Sequence, residues 1–179
     1  MIDGFTKTEP TAFERDADPV IICQNQIDQL IAAARKLPRG RARLLLHPNR
    51  EDSLQEMVIV LPPDSCDHPH INAKSGKSFL ALSGQFAVIC CADDGSAFRP
   101  VILSAGPWPG DRLIRLRKPT WHTIIPLAGD IVFVETIVGP FVGNTFAPWF
   151  PETEDKVPRA AFENRLRQIA RDAAAALKG

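Results

Sequence analysis

The chain has 179 residues, and its 21 basic and 21 acidic side chains give a formal net charge of zero at pH 7. This length suits one domain with a sizeable core. The charge balance argues against nucleic acid or an anionic membrane surface as the main partner. No apolar run reaches the roughly 18 residues of a membrane span, and the N-terminus lacks a basic-then-apolar signal pattern. We therefore expect a cytoplasmic protein.

The pattern of apolar residues predicts three parts. An N-terminal arm covers residues 1–25, and about its first 18 residues are expected to be irregular. The domain proper covers residues 26–157 and opens with a helix over 26–37, whose apolar stripe is followed by Pro38 and Gly40. A C-terminal helix covers residues 158–179, with Pro158 suited to its first turn. This helix is expected to pack on the domain or on a partner subunit.

Between the two helices, short apolar segments alternate with turn residues, a pattern typical of a β-sandwich or barrel. Ser83-Gly84 and Ala128-Gly129-Asp130 are predicted to be turns between strands. The proline- and aromatic-rich stretch 139–157 is expected to lie across the barrel rather than to form a strand. The predicted strands are 41–47, 55–61, 78–82, 85–91, 98–104, 112–116, 121–127 and 131–138.

Histidines in the middle of the chain point to possible metal chemistry. If residues 66–70 are extended, Cys66, His68 and His70 lie on one face of a strand. Two imidazoles two residues apart can coordinate one metal ion, and His122 on a later strand is the candidate third ligand. The alternatives are a pair of exposed loop histidines and, for Cys66, a thiol buried in the core.

These segments resemble the motifs of the cupin superfamily. The segment from His68 to Gly84 resembles the first motif, except that Lys77 stands where the family has a glutamate, and segment 117–122 resembles the second motif, with His122 as its histidine. More specifically, the chain is similar to the WbuC family of cupin-fold metalloproteins. Five pieces carry this resemblance in order over about residues 27–152, namely 38–47, 55–57, 69–84, 121–123, and 135–141 with 147–152.

The resemblance implies a mainly β fold, a cupin-type double-stranded β-helix (jelly-roll barrel) with an N-terminal helix and a C-terminal helix. It also implies a divalent metal site and an association with bacterial surface-polysaccharide genes. It implies no established reaction, so whether the protein is an enzyme stays open. We further expect a homodimer formed through edge strands and terminal segments.

The expected metal site would be built from His68, His70 and His122. Neutral imidazoles can hold Fe, Mn, Ni, Cu or Zn as divalent ions and do not choose among them. A protonated Lys77 would repel the ion, because two unit charges ~4 Å apart interact by about 4 kcal/mol at an effective dielectric near 20 and a dication doubles this. Lys77 could therefore swing away, be buried and neutral, or anchor an anionic ligand in a protein without metal.

Other polar residues are candidates for the same cavity. His47 and Gln55 could face it, although His47 could instead cap a strand end and Gln55 could be exposed. Glu135 could orient a histidine or pair with an arginine, or lie at the surface. Trp121 could stack on a sugar ring, with core packing as the alternative. A basic mouth suited to phosphate or carboxylate, or else a solvated face, could be formed by Arg39, Arg41, Arg43, Lys74 and Lys77.

Three functions are compatible with these residues. A metal-binding cupin could polarise a substrate oxygen or activate water or dioxygen. A binding module without metal could hold a small anionic or sugar ligand, with Lys77 as the anchor. A sugar-nucleotide epimerase, also known on this fold, usually pairs a histidine base with a tyrosine acid, and the absence of any tyrosine counts strongly against it.

Overall fold

A computed structural model describes residues 1–37, 40–152 and 155–178, which are mainly β-strand with a helix towards each end, as predicted. No helix in this part of the chain is long and apolar enough to cross a membrane. The elements are β1 (Thr6–Glu9), β2 (Ala12–Glu14), α1 (Gln24–Ala34), β3 (Ala42–Leu45), β4 (Leu54–Leu61), β5 (His70–Ile71), β6 (Lys77–Cys91), β7 (Phe98–Ala105), β8 (Leu113–Arg115), β9 (Trp121–Val138), β10 (Thr145–Phe146) and α2 (Lys156–Ala176).

Two long strands, β6 and β9, run through both halves of the barrel. The first part of β6 pairs with β8 and with the last part of β9, which also pairs with β4. The last part of β6 pairs with β7 and with the first part of β9, which also pairs with β5. Each long strand therefore joins one face of the barrel to the other.

The turns predicted at Ser83-Gly84 and Ala128-Gly129-Asp130 are wrong, because both stretches lie inside continuous strands. The β6–β9 register shifts around Ser83 and Gln85, so the strands bend there through bulges without reversing. Gly84 and Gly129 have positive φ angles of 78° and 70°. Such residues occur in bulges as well as in turns, which is why the sequence pattern misled.

Alternation along β4 separates the barrel interior from an outer layer. Met57 and Ile59 belong to the interior cluster, whereas Val58 and Val60 belong to a second cluster that includes Leu30 of α1. Strand residues point alternately to opposite faces, so one strand supplies both layers. The first helix thus covers the outer face of the β3–β4 side.

The C-terminal helix covers the opposite side of the barrel by the same alternation. Phe86 and Val88 of β6 pack in the interior, while Ala87 and Ile89 pack in a third cluster with Leu166 of α2. This places the helix on the barrel itself, which is one of the two positions expected for it.

The N-terminal arm is ordered, so the expectation of an irregular stretch is wrong. Strand β2 pairs in parallel with β3, with Phe13 opposite Leu44. Ile2, Phe5 and Phe13 are buried in the cluster beneath α1. These apolar residues follow neither a helical nor a strand period, and their burial comes from long-range contacts with α1, β3 and β4. The arm thereby brings β1, which ends at Glu9, to the edge of the β3–β4 side.

Helix α1 begins two residues before the predicted start and ends at Ala34. Its first turn is capped by Gln26, whose side-chain oxygen accepts a hydrogen bond from the Cys23 backbone N–H at 2.9 Å. This reciprocal bond satisfies a backbone donor that precedes the helix. Pro38, which was expected to end the helix, lies outside the described residues.

We expect Gly84→Ala to destabilise the barrel more than Gly129→Ala. A Cβ at Gly84 would lie 2.9 Å from the Ala128 carbonyl oxygen, whereas a Cβ at Gly129 meets nothing within 4 Å. Since both φ angles are left-handed, Gly129→Ala should cost about 1 kcal/mol from strain alone. Gly84→Ala should cost about 2–3 kcal/mol. Denaturant unfolding of the two variants measures the difference, and equal losses would contradict the close approach.

Candidate functional site

A cavity of about 90 Å³ lies within the barrel, against strands β3, β4 and β9. Its mouth includes Arg50, whose side chain is 67% exposed. Its apolar wall belongs to the interior cluster and is formed by Leu45, Met57, Ile59, Ile124, Phe133 and Ile137. A ligand entering here would leave water for a largely apolar surface.

Charged side chains line the other wall of this cavity. The four cations are Arg41, Arg43, Arg50 and Lys77, and the three carboxylates are Glu9, Asp67 and Glu135. Glu9 pairs with Arg43 at 2.7 Å and also with Arg50. Arg41 lies 3.4 Å from Asp67. The lining therefore carries one positive charge in excess when every group is ionised.

Lys77 is the most deeply buried cation of this wall, with only 2% of the residue exposed. Its Nζ lies 3.2 Å from His70 Nε2 and 3.4 Å from Glu135 Oε1. The sheet register brings the charges together, because Lys77 pairs with Ile137 and its diagonal neighbour on the same face of β9 is Glu135. Lys77 therefore holds a fixed positive charge inside the barrel.

His70 and His122 form a buried pair beside Lys77. They lie directly opposite each other in the β5–β9 register, with ring centroids 4.5 Å apart. His70 Nδ1 lies 3.0 Å from the His68 carbonyl oxygen, and His122 Nδ1 lies 2.8 Å from the Thr120 carbonyl oxygen. Each Nδ1 must carry the proton to donate these bonds, so each Nε2 presents a lone pair.

The two Nε2 atoms differ in their partners. Lys77 Nζ donates to His70 Nε2. His122 Nε2 is buried and has no hydrogen-bond partner among the described residues. A buried acceptor without a donor is costly.

Burial and the Lys77 charge keep both imidazoles neutral. Burial is the main cause that lowers the pKa of His70 well below its usual value, and the charge of Lys77 adds to it. Burial and then Lys77 lower the pKa of His122 to about 3, partly offset by the bond to Thr120. Both rings are therefore acceptors, not cations, at neutral pH.

We expect the free energy of unfolding to fall as the pH drops below about 6.5. The unfolded chain then takes up protons at His70 and His122 that the folded chain, with lowered pKa values, does not bind. Each group should contribute a slope of up to about 1.4 kcal/mol per pH unit. Urea unfolding between pH 7.5 and pH 5 measures it. His122→Gln should show a smaller slope, and an unchanged slope would contradict the assignment.

The structure does not bring the three predicted metal ligands together. His68 Nε2 lies 3.2 Å from the Ala147 carbonyl oxygen, to which it can donate, and its ring packs 4.5 Å from that of Phe150 and 5.1 Å from that of Phe146. Residues 66–69 precede β5 and belong to no strand of the sheet. Cys66, His68 and His70 are therefore not held together by one strand.

The remaining donors fit a resident divalent metal poorly. Lys77 donates to the lone pair of His70 that would bind the ion, and its charge would oppose a dication by about 8 kcal/mol at ~4 Å and an effective dielectric near 20. Among the described residues, no group of three or more His, Cys, Asp or Glu side chains is placed to hold a metal ion.

The structure places the other predicted site residues unevenly. His47, Gln55, Arg43 and Glu135 line the cavity, as does His70 with Lys77. Gln55 also donates to the Asn49 and Asp52 carbonyl oxygens, both at 3.0 Å, and so fastens the turn before β4. His47 Nδ1 lies 2.8 Å from the Glu56 carbonyl oxygen.

Two groups proposed for ligand contact lie away from the cavity. The Trp121 ring lies 6.4 Å from that of Trp149 and packs beside the cluster under α2. Lys74 is exposed and does not line the cavity. Arg39, the remaining member of the predicted basic mouth, lies outside the described residues.

Sequence reasoning missed Glu9, Arg50 and Asn144, all of which line the cavity. Glu9 lies in the arm that was expected to be irregular, and Arg50 lies between the predicted strands 41–47 and 55–61. Asn144 belongs to the proline-rich stretch, where its Oδ1 is buried without a partner among the described residues. No local pattern singles out these residues, because they reach the cavity only through the fold.

Comparison with solved structures identifies the fold. An oxalate oxidase in complex with the substrate analogue glycolate aligns with a TM-score of 0.52 and 16% identity, over 74% of this chain and 68% of that chain. A second oxalate oxidase, studied by structural and spectroscopic methods, aligns with a TM-score of 0.51, the same identity and the same coverage. These are cupin-fold proteins, so the chain has the expected cupin-type fold. At this identity the likeness establishes fold alone.

A family model described as a domain of unknown function, DUF6016, matches residues 22–103, which is less than half of the chain. No curated protein matches the sequence.

Proposed function

We propose that this cupin-fold protein binds a small carboxylate inside its barrel without a metal ion. The buried Lys77 ammonium supports this proposal most directly, because it lines the cavity and contacts the imidazole nitrogen that would otherwise be free for a metal. Arg41 and Arg43 lie on the same wall, and the lining as a whole carries one positive charge in excess of its carboxylates.

The two arginines of this wall lie close enough to affect each other's charge. The Nε atoms of Arg41 and Arg43 are buried and have no partner among the described residues. Burial and then the neighbouring charge of Arg41 lower the pKa of Arg43. A carboxylate bound in the cavity would offset the repulsion between the two guanidinium ions.

The cavity also presents an acceptor without a donor. Asn144 lines the cavity, and its Oδ1 has no partner among the described residues. The carbon chain of a small ligand would pack on Met57 and Phe133. The ligand class that fits the charged wall and the apolar wall is a small carboxylate.

The oxalate oxidases bind the related compound glycolate in one of the aligned structures. The proposal for this chain depends on its own Lys77, Arg41 and Arg43, since the likeness establishes only the fold.

The finer predictions from the sequence stay predictions. They are membership of the WbuC family, a divalent ion held by His68, His70 and His122, a link with surface-polysaccharide metabolism, and a homodimer. Of these, the metal site competes directly with the present proposal, because Lys77 cannot both contact His70 and leave its Nε2 free for an ion.

Lactate should raise the melting temperature of the protein, and propionamide, which lacks the charge, should not. A ligand at one hundred times its Kd stabilises the folded state by about 2.7 kcal/mol. Lys77→Met should weaken lactate binding about ten- to hundredfold, since a bond to a charged group contributes about 1.5–3 kcal/mol. Thermal unfolding and titration calorimetry measure both effects.

Lys74→Met is the matched control, because it removes an exposed lysine three residues away and should leave binding unchanged. Lys77→Met leaves Glu135 without its cation, so Lys77→Met/Glu135→Gln checks that any loss does not arise from misfolding. Equal binding by the wild type and both Lys77 variants would overturn the proposal.

Elemental analysis of the untagged protein tests the competing metal site. We expect less than stoichiometric Fe, Mn, Ni, Cu or Zn after growth with mixed trace metals. Near-stoichiometric metal that is lost in His68→Ala would contradict the proposal and would favour the three-histidine site.

A further inference from the structure

We infer that two copies of this chain form a dimer by packing the same face of the sheet against each other. In this dimer the strands of the two copies are aligned, and Arg115 of each copy lies beside Glu56 of the partner subunit. The surface, termed the open face, is the outer side of strands β8, β6, β9 and the first part of β4, which neighbour each other in this order. It differs from the edge strands and terminal segments through which the sequence predicted a homodimer, and it does not depend on the carboxylate site.

Large apolar side chains remain exposed on the open face. Strand residues alternate between two faces, so Leu80 points outwards from β6 while its neighbours Phe79 and Ala81 are buried in the barrel interior. The exposed apolar residues of these four strands, with 39–58% of each residue exposed, are Leu54, Leu80, Leu82, Leu113 and Val138. Helix α1 leaves them uncovered, because it packs on Val58 and Val60 in the last part of β4. Exposed apolar surface that extends over several strands marks an interaction site.

The sheet register arranges the open face in rows that run across the strands. Leu113 of β8, Leu80 of β6 and Val134 of β9 are direct neighbours and form one apolar row. Val138 of β9 and Leu54 of β4 are also direct neighbours and form a second apolar row. A polar row lies between the two apolar rows.

The polar row carries a positive charge at one end and a negative charge at the other. In order across the strands, it consists of Arg115, Ser78, Thr136 and Glu56. Arg115 Nη1 donates to Ser78 Oγ at 3.2 Å, and Thr136 Oγ1 donates to Glu56 Oε1 at 3.0 Å. Within the described part of the chain, neither Arg115 nor Glu56 belongs to an ion pair. Each charge can therefore pair with a group outside its own chain.

A two-fold axis parallel to the strands, between β6 and β9, makes the open face complementary to itself. Rotation about this axis keeps each row at its position along the strands and reverses its direction. Leu80 then meets Val134 of the partner subunit, and Arg115 meets Glu56 of the partner subunit. Such a contact is isologous, as in most homodimers. Two sheets that pack face to face with aligned strands form an ordinary β-sandwich interface.

The charges favour a second copy over a different protein as the occupant of the open face. A second copy presents the opposite charge at both ends of the polar row by symmetry alone, whereas another protein would have to match their spacing. It also presents the same apolar rows, so apolar surface leaves water on both sides of the contact. The net charge of zero means that two copies approach each other without long-range repulsion.

Sedimentation velocity of the full chain tests the assembly. We expect the wild type to be a dimer. Leu80→Glu/Leu113→Glu should be a monomer at concentrations at which the wild type is a dimer, because it places charges in an apolar row. Val157→Glu is the control, since Val157 is an exposed apolar residue of α2 outside the open face, and its dimer should remain intact. A monomeric wild type, or a dimer that persists in Leu80→Glu/Leu113→Glu, would overturn the inference.

Exchange of the two charges tests the orientation of the copies. Arg115→Glu and Glu56→Arg should each weaken the dimer about tenfold, because each change replaces two attractions with two repulsions. The double variant Arg115→Glu/Glu56→Arg should restore the wild-type affinity, which a misfolded protein could not do. Single variants that dimerise like the wild type, or a loss that the double variant does not restore, would contradict the aligned dimer.

Discussion

The bending of β6 and β9 through both halves of the barrel is the constraint on which the rest of the structure depends. Because each strand crosses from one face to the other, the first part of β6 lies beside the last part of β9. That pairing brings Lys77 to Glu135, and the other end of β9 brings His122 to His70. The charges at the centre of the molecule are thus positioned by two strands that are distant in sequence at their contact points.

Lys77 changes what such a barrel centre can do. The Lys77 ammonium is buried and contacts a carboxylate and an imidazole. Its charge is therefore part of the protein and does not depend on a bound ion. A metal ion would bring vacant coordination positions and a choice of redox state. A lysine brings instead a single charge, defined hydrogen-bond directions and a nitrogen with its own chemistry. The centre of this barrel is therefore chemically different from a metal site.

Local sequence signals determined much of the fold but little of the spatial arrangement of the site. The mainly β fold and the two terminal helices follow from periodicity, and Arg43 faces the cavity as strand alternation allows. Ser83-Gly84 misled because a glycine with positive φ serves a bulge as well as a turn. His68 could not be placed from its spacing alone, since the spacing orients side chains only in an extended segment. Glu9 was missed because long-range packing, not local pattern, orders the arm.

The position of Glu9 affects how strongly an anion from solution can bind at the mouth of the cavity. Its carboxylate already pairs with Arg43 and Arg50 at the mouth of the cavity. Glu9 therefore competes with any anion that would pair with Arg43. An incoming anion therefore competes with the Glu9 carboxylate, whose local concentration does not change when the protein is diluted. Sequence fused ahead of the arm acts on the same balance, because Glu9 is the last residue of β1 in that arm. Affinities measured with a tag at that end therefore describe the tagged arm as well as the cavity.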